Sequence, residues 1–140
     1  MSWGIVYYAT QTGDAPGLEF LRSCPVKVRA KLVAVLEAVR AAPPPAFSGG
    51  GKWEAMHGSM GGYYEIRVTG PGRQHYRLFC ILDNGNAEEL AERGLPAPQI
   101  VVINGMVKPN ASLFTHGEYE KHVRRLGDRY LATLPRPIAI

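Results

Sequence analysis

One stretch constrains this chain more than any other. Residues 62–82 hold two runs rich in β-branched and aromatic residues on either side of Gly70-Pro71-Gly72-Arg73, the pattern of two strands joined by a tight turn. If Pro71-Gly72-Arg73 is the loop between strands at 63–69 and 74–82, Arg67 falls opposite Arg77 and Ile66 opposite Leu78. The same register sets Val68 against Tyr76, Tyr64 against Cys80 and Glu65 against Phe79. One face is then apolar, and the other carries Glu65, Arg67, His75, Arg77 and Phe79. A slip of one residue would set Arg77 across from Ile66 and mix the faces, so the pattern selects the first register.

The rest of the chain supplies partners for that hairpin. Ile5-Val6-Tyr7-Tyr8-Ala9 reads as a first strand that runs into a loop ending Pro16-Gly17. Between residues 18 and 42 the period changes to helical: Val28, Leu32, Val35, Leu36 and Val39 form one apolar stripe, and Pro25 separates this helix from a shorter one at 18–23. Pro43-Pro44-Pro45 and Gly49-Gly50-Gly51 read as a long surface connector. A helical turn is expected at 87–93 and a buried strand at 100–103, stopped by Asn104-Gly105. Thr115 followed by Glu118 predicts a capping box that opens a last helix through about residue 131, with Tyr119, Val123, Leu126 and Tyr130 inward. The Pro-rich tail after Leu134 is expected to fray.

A chain of 140 residues with 46% hydrophobic content fits one domain spanning 1–140. Sixteen Lys and Arg against twelve Asp and Glu leave a net charge of +4, which favours an anionic partner. No apolar run approaches a membrane span and no signal core opens the chain, so a cytoplasmic protein is expected. Cys24 and Cys80 have neither metal-ligand nor disulfide-framework spacing and read as free thiols near the core. The four histidines, His57, His75, His116 and His122, form no His-x-x-x-His pair, and neither glycine cluster is followed by the Lys-Ser/Thr of a phosphate loop. No cofactor and no metal is expected.

Taken in order, Glu19-Phe20-Leu21, Pro25-x-Lys27-x-Arg29-Ala30-Lys31, Met56-x-Gly58, Gly62-Tyr63-Tyr64-Glu65-Ile66-Arg67, Tyr76-Arg77-Leu78-Phe79 and Asn104-Gly105-Met106-Val107-Lys108 resemble the RelE/HigB toxins of type II toxin–antitoxin systems, in their phage-derived HigB-like branch. The resemblance covers about residues 5–131. It implies an α+β fold of the microbial-ribonuclease kind: an N-terminal strand and two helices, an antiparallel sheet, a C-terminal helix. It further implies an mRNA interferase, an endoribonuclease that cuts mRNA on the ribosome, and a helix-turn-helix antitoxin of the HigA kind as partner.

Metal-independent RNA cleavage needs a group to take the 2′-hydroxyl proton, donors for the extra negative charge, and an acid for the leaving oxygen. Arg67 and Arg77, opposed on one strand face, suit the second task, because planar guanidinium groups hold phosphate oxygens in fixed geometry; two solvated strand arginines are the plain alternative. Glu65 is either the base or their ion-pair partner. His75 on the same face can shuttle a proton or be an exposed strand histidine, and His57 before the hairpin has the same two readings. The resemblance places a basic residue at Lys108 near the scissile phosphate. Arg73, Phe114 and His116 are further candidates for contact with RNA: Phe114 can stack on a base but cannot exchange a proton, and His116 is either a proton-transfer group or a surface residue at the start of the last helix. At the start of the last helix, where several members carry a tyrosine acid or base, this chain has Leu113 and Phe114, and Tyr119 lies further along. The alternative to an enzyme is therefore a binding module of the same fold that holds RNA or antitoxin without cutting.

Overall fold

A computed structural model describes residues 3–42, 52–83, 87–95, 98–109 and 114–139. The expected connector at 43–51 and Leu113 lie outside them. In chain order the elements are β1 (Gly4–Tyr7), α1 (Pro16–Ser23), α2 (Val26–Ala41), β2 (Trp53–Ala55), β3 (Tyr63–Thr69), β4 (His75–Asp83), α3 (Ala87–Glu92) and β5 (Gln99–Lys108). The last helix follows in three consecutive stretches: α4 (His116–Tyr119), a π-helical segment (Glu120–Arg124) and α5 (Arg125–Ala132).

The hairpin of β3 and β4 has the register its side chains require: Arg67 pairs with Arg77, Ile66 with Leu78, Val68 with Tyr76, Tyr64 with Cys80 and Glu65 with Phe79. Gly72 and Arg73 both take positive φ in the turn, and Gly70 N–H donates to Gln74 C=O. The hairpin sits inside a five-stranded sheet of order β1-β5-β4-β3-β2. The α+β class stands, but the sheet is mixed where an antiparallel one was expected. After β1 the chain crosses one face through α1 and α2 and lays down β2 to β5 by successive reversals. It returns to β1 only with β5, which runs parallel to it.

Each face of the sheet is covered. On one, Leu21, Val28, Leu32, Leu36 and Val39 from the two N-terminal helices pack on Ile66, Val68, Leu78, Cys80, Ile100 and Val102. At about 25 cal/mol per Å² of buried apolar surface, this layer supplies the main drive for the hairpin's orientation. On the other, Val123 and Tyr130 of the last helix pack on Tyr63, Phe79, Ile81, Val101 and Ile103. Gly127 lets that helix approach: a β-carbon there would collide with the Tyr63 ring. Tyr63 Oη in turn donates to Asp128 Oδ1 at 2.9 Å.

Asn104-Gly105 does not end the fifth strand. β5 continues to Lys108 through a bulge, in which Phe79 faces Asn104 while Cys80 faces Val102. Asn104 accommodates the kink by accepting from Gly105 N–H at 2.8 Å through its own side chain, and its Nδ2 donates to His122 C=O at 2.9 Å. His122 lies in the π-helical segment, so this side chain ties the bulge of β5 to the widened turn of the last helix.

The tail beyond Leu134, expected to fray, is docked. Ala9 N–H donates to Pro137 C=O at 2.9 Å and Ala139 N–H to Tyr7 C=O at 2.8 Å, with a bridge between Tyr8 and Ile138. Arg136 explains the anchoring: it is buried, with Nε 3.2 Å from Asp83 Oδ2, and Tyr130 Oη donates to the same carboxylate oxygen at 2.9 Å. Asp83→Ala would leave a buried guanidinium without this carboxylate and should cost about 3–5 kcal/mol in urea unfolding. A loss below about 1 kcal/mol would mean that the tail is held by other contacts.

Candidate functional site

The last helix covers only part of the sheet face it packs on. Tyr63, Phe79 and Ile81 lie beneath it, while the residues nearer the hairpin tip, Glu65, Arg67, His75 and Arg77, extend past its start. The capping box fixes where that start falls. Glu118 N–H donates to Thr115 Oγ1 at 3.1 Å and Thr115 N–H to Glu118 Oε1 at 3.0 Å, so two backbone donors of the first turn are satisfied.

Beside the capped turn is a cavity of about 400 Å³ lined by residues that include His57, Ser59, Glu65, Arg67, His116 and Tyr119. Glu65 is buried, and its Oε1 lies 2.6 Å from Arg67 Nε. The contact leaves the two terminal nitrogens of Arg67 with no hydrogen bond among the described residues, on a side chain that remains 47% exposed. Arg67 is therefore oriented by its acid yet still presents donors outward. His116 Nδ1 lies 3.2 Å from Ser59 Oγ, and Arg124 Nη1 donates to Ser59 C=O, which ties the 3₁₀ turn Gly58–Met60 to the last helix.

A second cavity of about 410 Å³ shares Arg67 as a wall and is completed by Lys31, Lys52, Val68, Thr69, His75 and Arg77. Arg77 is half-buried and donates to Tyr76 C=O at 3.0 Å. Burial pulls its pKa below the ordinary guanidinium value, with the Glu65 carboxylate opposing the shift. Glu65, Arg67, His57 and His116 are thus brought together in one cavity, and Arg67, Arg77 and His75 in the next.

The remaining candidates stand apart from both cavities. Lys108 pairs with His75 across β4 and β5, but its Nζ is held 2.9 Å from Glu118 Oε1 and lies 5.9 Å from the centre of the Phe114 ring. Phe114 packs edge-on against Phe79 and at a tilt against Tyr119, so it is part of an aromatic cluster. Arg73 projects from the exposed turn.

Tyr119 is the residue that sequence spacing did not bring to the site. Its ring stands edge-on to Phe79 with centroids 5.8 Å apart, and its hydroxyl makes no hydrogen bond among the described residues. Burial raises its pKa, the Glu65 carboxylate adds to the rise, and the Arg77 and Arg67 charges oppose it. The tyrosine is therefore neutral at physiological pH and within electrostatic reach of all three charged groups. Its inward position on the helix was legible. That the inward face at this first turn meets Glu65 and Arg67 depends on where the helix begins relative to the sheet, and no local pattern encodes that.

Both cysteines are free and buried, and burial pushes the Cys80 thiol far above its ordinary pKa, so neither is a ready nucleophile. Among the described residues, no group of three or more His, Cys, Asp or Glu is placed to hold a metal ion, and no helix is long and apolar enough to cross a membrane. No protein-family model matches the chain, and no curated protein or solved structure matches it.

The Lys108 contact has a measurable signature. Its hydrogen bond, followed by that of the Thr115 backbone, holds the Glu118 carboxyl below the ordinary glutamate range. A depressed carboxyl contributes stability that is present above its unfolded-state pKa and lost as pH falls through the folded value. In carboxyl-carbon NMR titrations Glu118 should titrate below a free glutamate, and Lys108→Ala should move its midpoint upward. An unchanged midpoint would show that Lys108 is not bound there.

Proposed function

We propose that this protein is a metal-independent endoribonuclease with the RelE-like fold, acting as the toxin of a type II toxin–antitoxin pair on ribosome-bound mRNA in the cytoplasm. The observation that carries the reading is the cavity in which Tyr119 meets Glu65 and Arg67, with Arg77 on the adjoining strand. A carboxylate, a neutral phenol and two guanidinium groups are the set that phosphodiester transfer requires.

In this reading Glu65 takes the proton of the 2′-hydroxyl as that oxygen attacks the adjacent phosphorus. Arg67 and Arg77 stabilise the added charge on the phosphoryl oxygens. Tyr119 gives its proton to the departing 5′ oxygen, leaving a 2′,3′-cyclic phosphate on one fragment and a 5′-hydroxyl on the other. The raised pKa of Tyr119 suits the role of acid better than that of base. His57 and His116 lie on the same cavity wall and can contact a base or sugar. The partner, a helix-turn-helix antitoxin, follows from the sequence resemblance alone. The binding-module alternative was motivated by the missing tyrosine, and a tyrosine in the cavity weakens that motive.

Purified protein mixed with mRNA-programmed ribosomes should yield fragments with 5′-hydroxyl ends, mapped by primer extension. Tyr119→Phe should slow cleavage roughly 10²–10⁴-fold and leave RNA binding in place. Arg67→Ala with Arg77→Ala should lower the rate by roughly 10²-fold or more and weaken binding as well. Transcripts that stay intact with the wild type, while RNA is still bound, would establish the binding module instead.

A further inference from the structure

The second cavity has a composition that one scissile phosphate does not account for. Lys31, Lys52, Arg67 and Arg77 bring four cations to it, His75 adds an imidazole, and no carboxylate is among its lining residues. The first cavity, across Arg67, contains the acid and the phenol. The two differ in kind: one pairs a carboxylate with a phenol, and the other gathers cations around a single imidazole, His75.

The fold explains how these cations converge. Arg67 N–H donates to Lys52 C=O at 2.9 Å, and β2 begins at the next residue, so Lys52 sits where β3 loses its edge partner. Beyond that point Val68 and Thr69 form an open rim. Lys31 reaches the same rim from α2, which packs on the opposite face of β3. Neither Lys31 nor Lys52 makes an ion pair among the described residues, and both are exposed. His75 Nδ1 is shielded from solvent and has no hydrogen-bond partner there either. Glu65 offsets part of the charge of Arg67 and Arg77, but Lys31 and Lys52 add two positive charges to the same concave rim, and the resulting potential is one that an anion relieves.

We infer that this cavity is a second phosphate subsite, which binds the internal phosphodiester next to the scissile one on a single RNA strand laid from Tyr119 across Arg67 to the open edge of β3. The inference rests on the nuclease reading for the occupant of the first cavity. Lys31 and Lys52 are its specific residues and act in binding, while Arg67, which lines both cavities, and Arg77, which lines this one, also serve the scissile phosphate in the nuclease reading. An extended strand suits the site because the two cavities lie side by side along the sheet with one side chain between them.

The test uses the full chain and a fluorescein-labelled 2′-O-methyl uridine octanucleotide, which lacks the attacking hydroxyl and so reports binding without cleavage. Anisotropy titrations across a salt series give Kd and its salt dependence for the wild type, for Lys31→Ala with Lys52→Ala, and for a charge-matched control, Arg22→Ala with Arg129→Ala. Thermal melts confirm that all three are folded. Loss of one phosphate contact should lower the slope of log K against log salt by about 0.7 and weaken low-salt binding at least roughly tenfold, while the control should retain the wild-type slope. A lysine variant with the wild-type slope, or a control that falls equally, overturns the subsite. A wild type that does not bind the probe overturns it as well. If the slope falls as expected but ribosome-bound mRNA stays intact, the subsite stands and the nuclease reading fails.

Discussion

The pairing of Arg67 with Arg77 across β3 and β4 is the constraint on which the rest of this molecule depends. Strand side chains alternate with a period of two, so the pairing that opposes the arginines also sends Ile66, Val68, Tyr76, Leu78 and Cys80 to the layer beneath α1 and α2. No neighbouring register does both. The apolar layer thus fixes the position of charges it never touches. Glu65, two residues before Arg67 on the same face, becomes its carboxylate partner as a further consequence.

The last helix turns that charged face into one wall of a cavity. Its α5 end is anchored through Tyr130 and Asp83, its middle through Asn104 and the π-helical segment, and its beginning through the capping box and Lys108. These attachments stop the helix short of the hairpin tip. Tyr119, in the first turn, therefore ends at the boundary between covered and open sheet, in the same cavity wall as Glu65 and Arg67. Asp83 joins the tail to the same scaffold, since it contacts both Tyr130 and Arg136.

Much of this was legible from local pattern. Alternation and turn chemistry determined the hairpin, helical periodicity gave α2, and Thr115 with Glu118 announced the capping box. The misreadings share a cause: signals with two meanings that only distant partners resolve. Asn-Gly marks turns and also bulges, and here the Asn104 side chain finds a helix carbonyl that keeps it inside a continuous strand. A Pro-rich end resembles a frayed tail until Arg136 meets Asp83 on another element. The three-residue β2 carries too little pattern to be seen. At the site, the Arg67–Arg77 pair and Glu65 were visible because one hairpin contains them. Tyr119, Lys31 and Lys52 were not, because they come from three further segments that meet the hairpin only through the tertiary fold.

The central claim is that a phosphate lies between the opposed arginines, with Tyr119 beside its leaving oxygen. A crystal structure with a 2′-O-methyl oligonucleotide tests this most directly. The account predicts a phosphodiester whose non-bridging oxygens accept from Arg67 and Arg77, with the Tyr119 hydroxyl within hydrogen-bond distance of the bridging 5′ oxygen. A strand bound elsewhere on the surface, or a phosphate on the arginines with Tyr119 turned away from it, would contradict it.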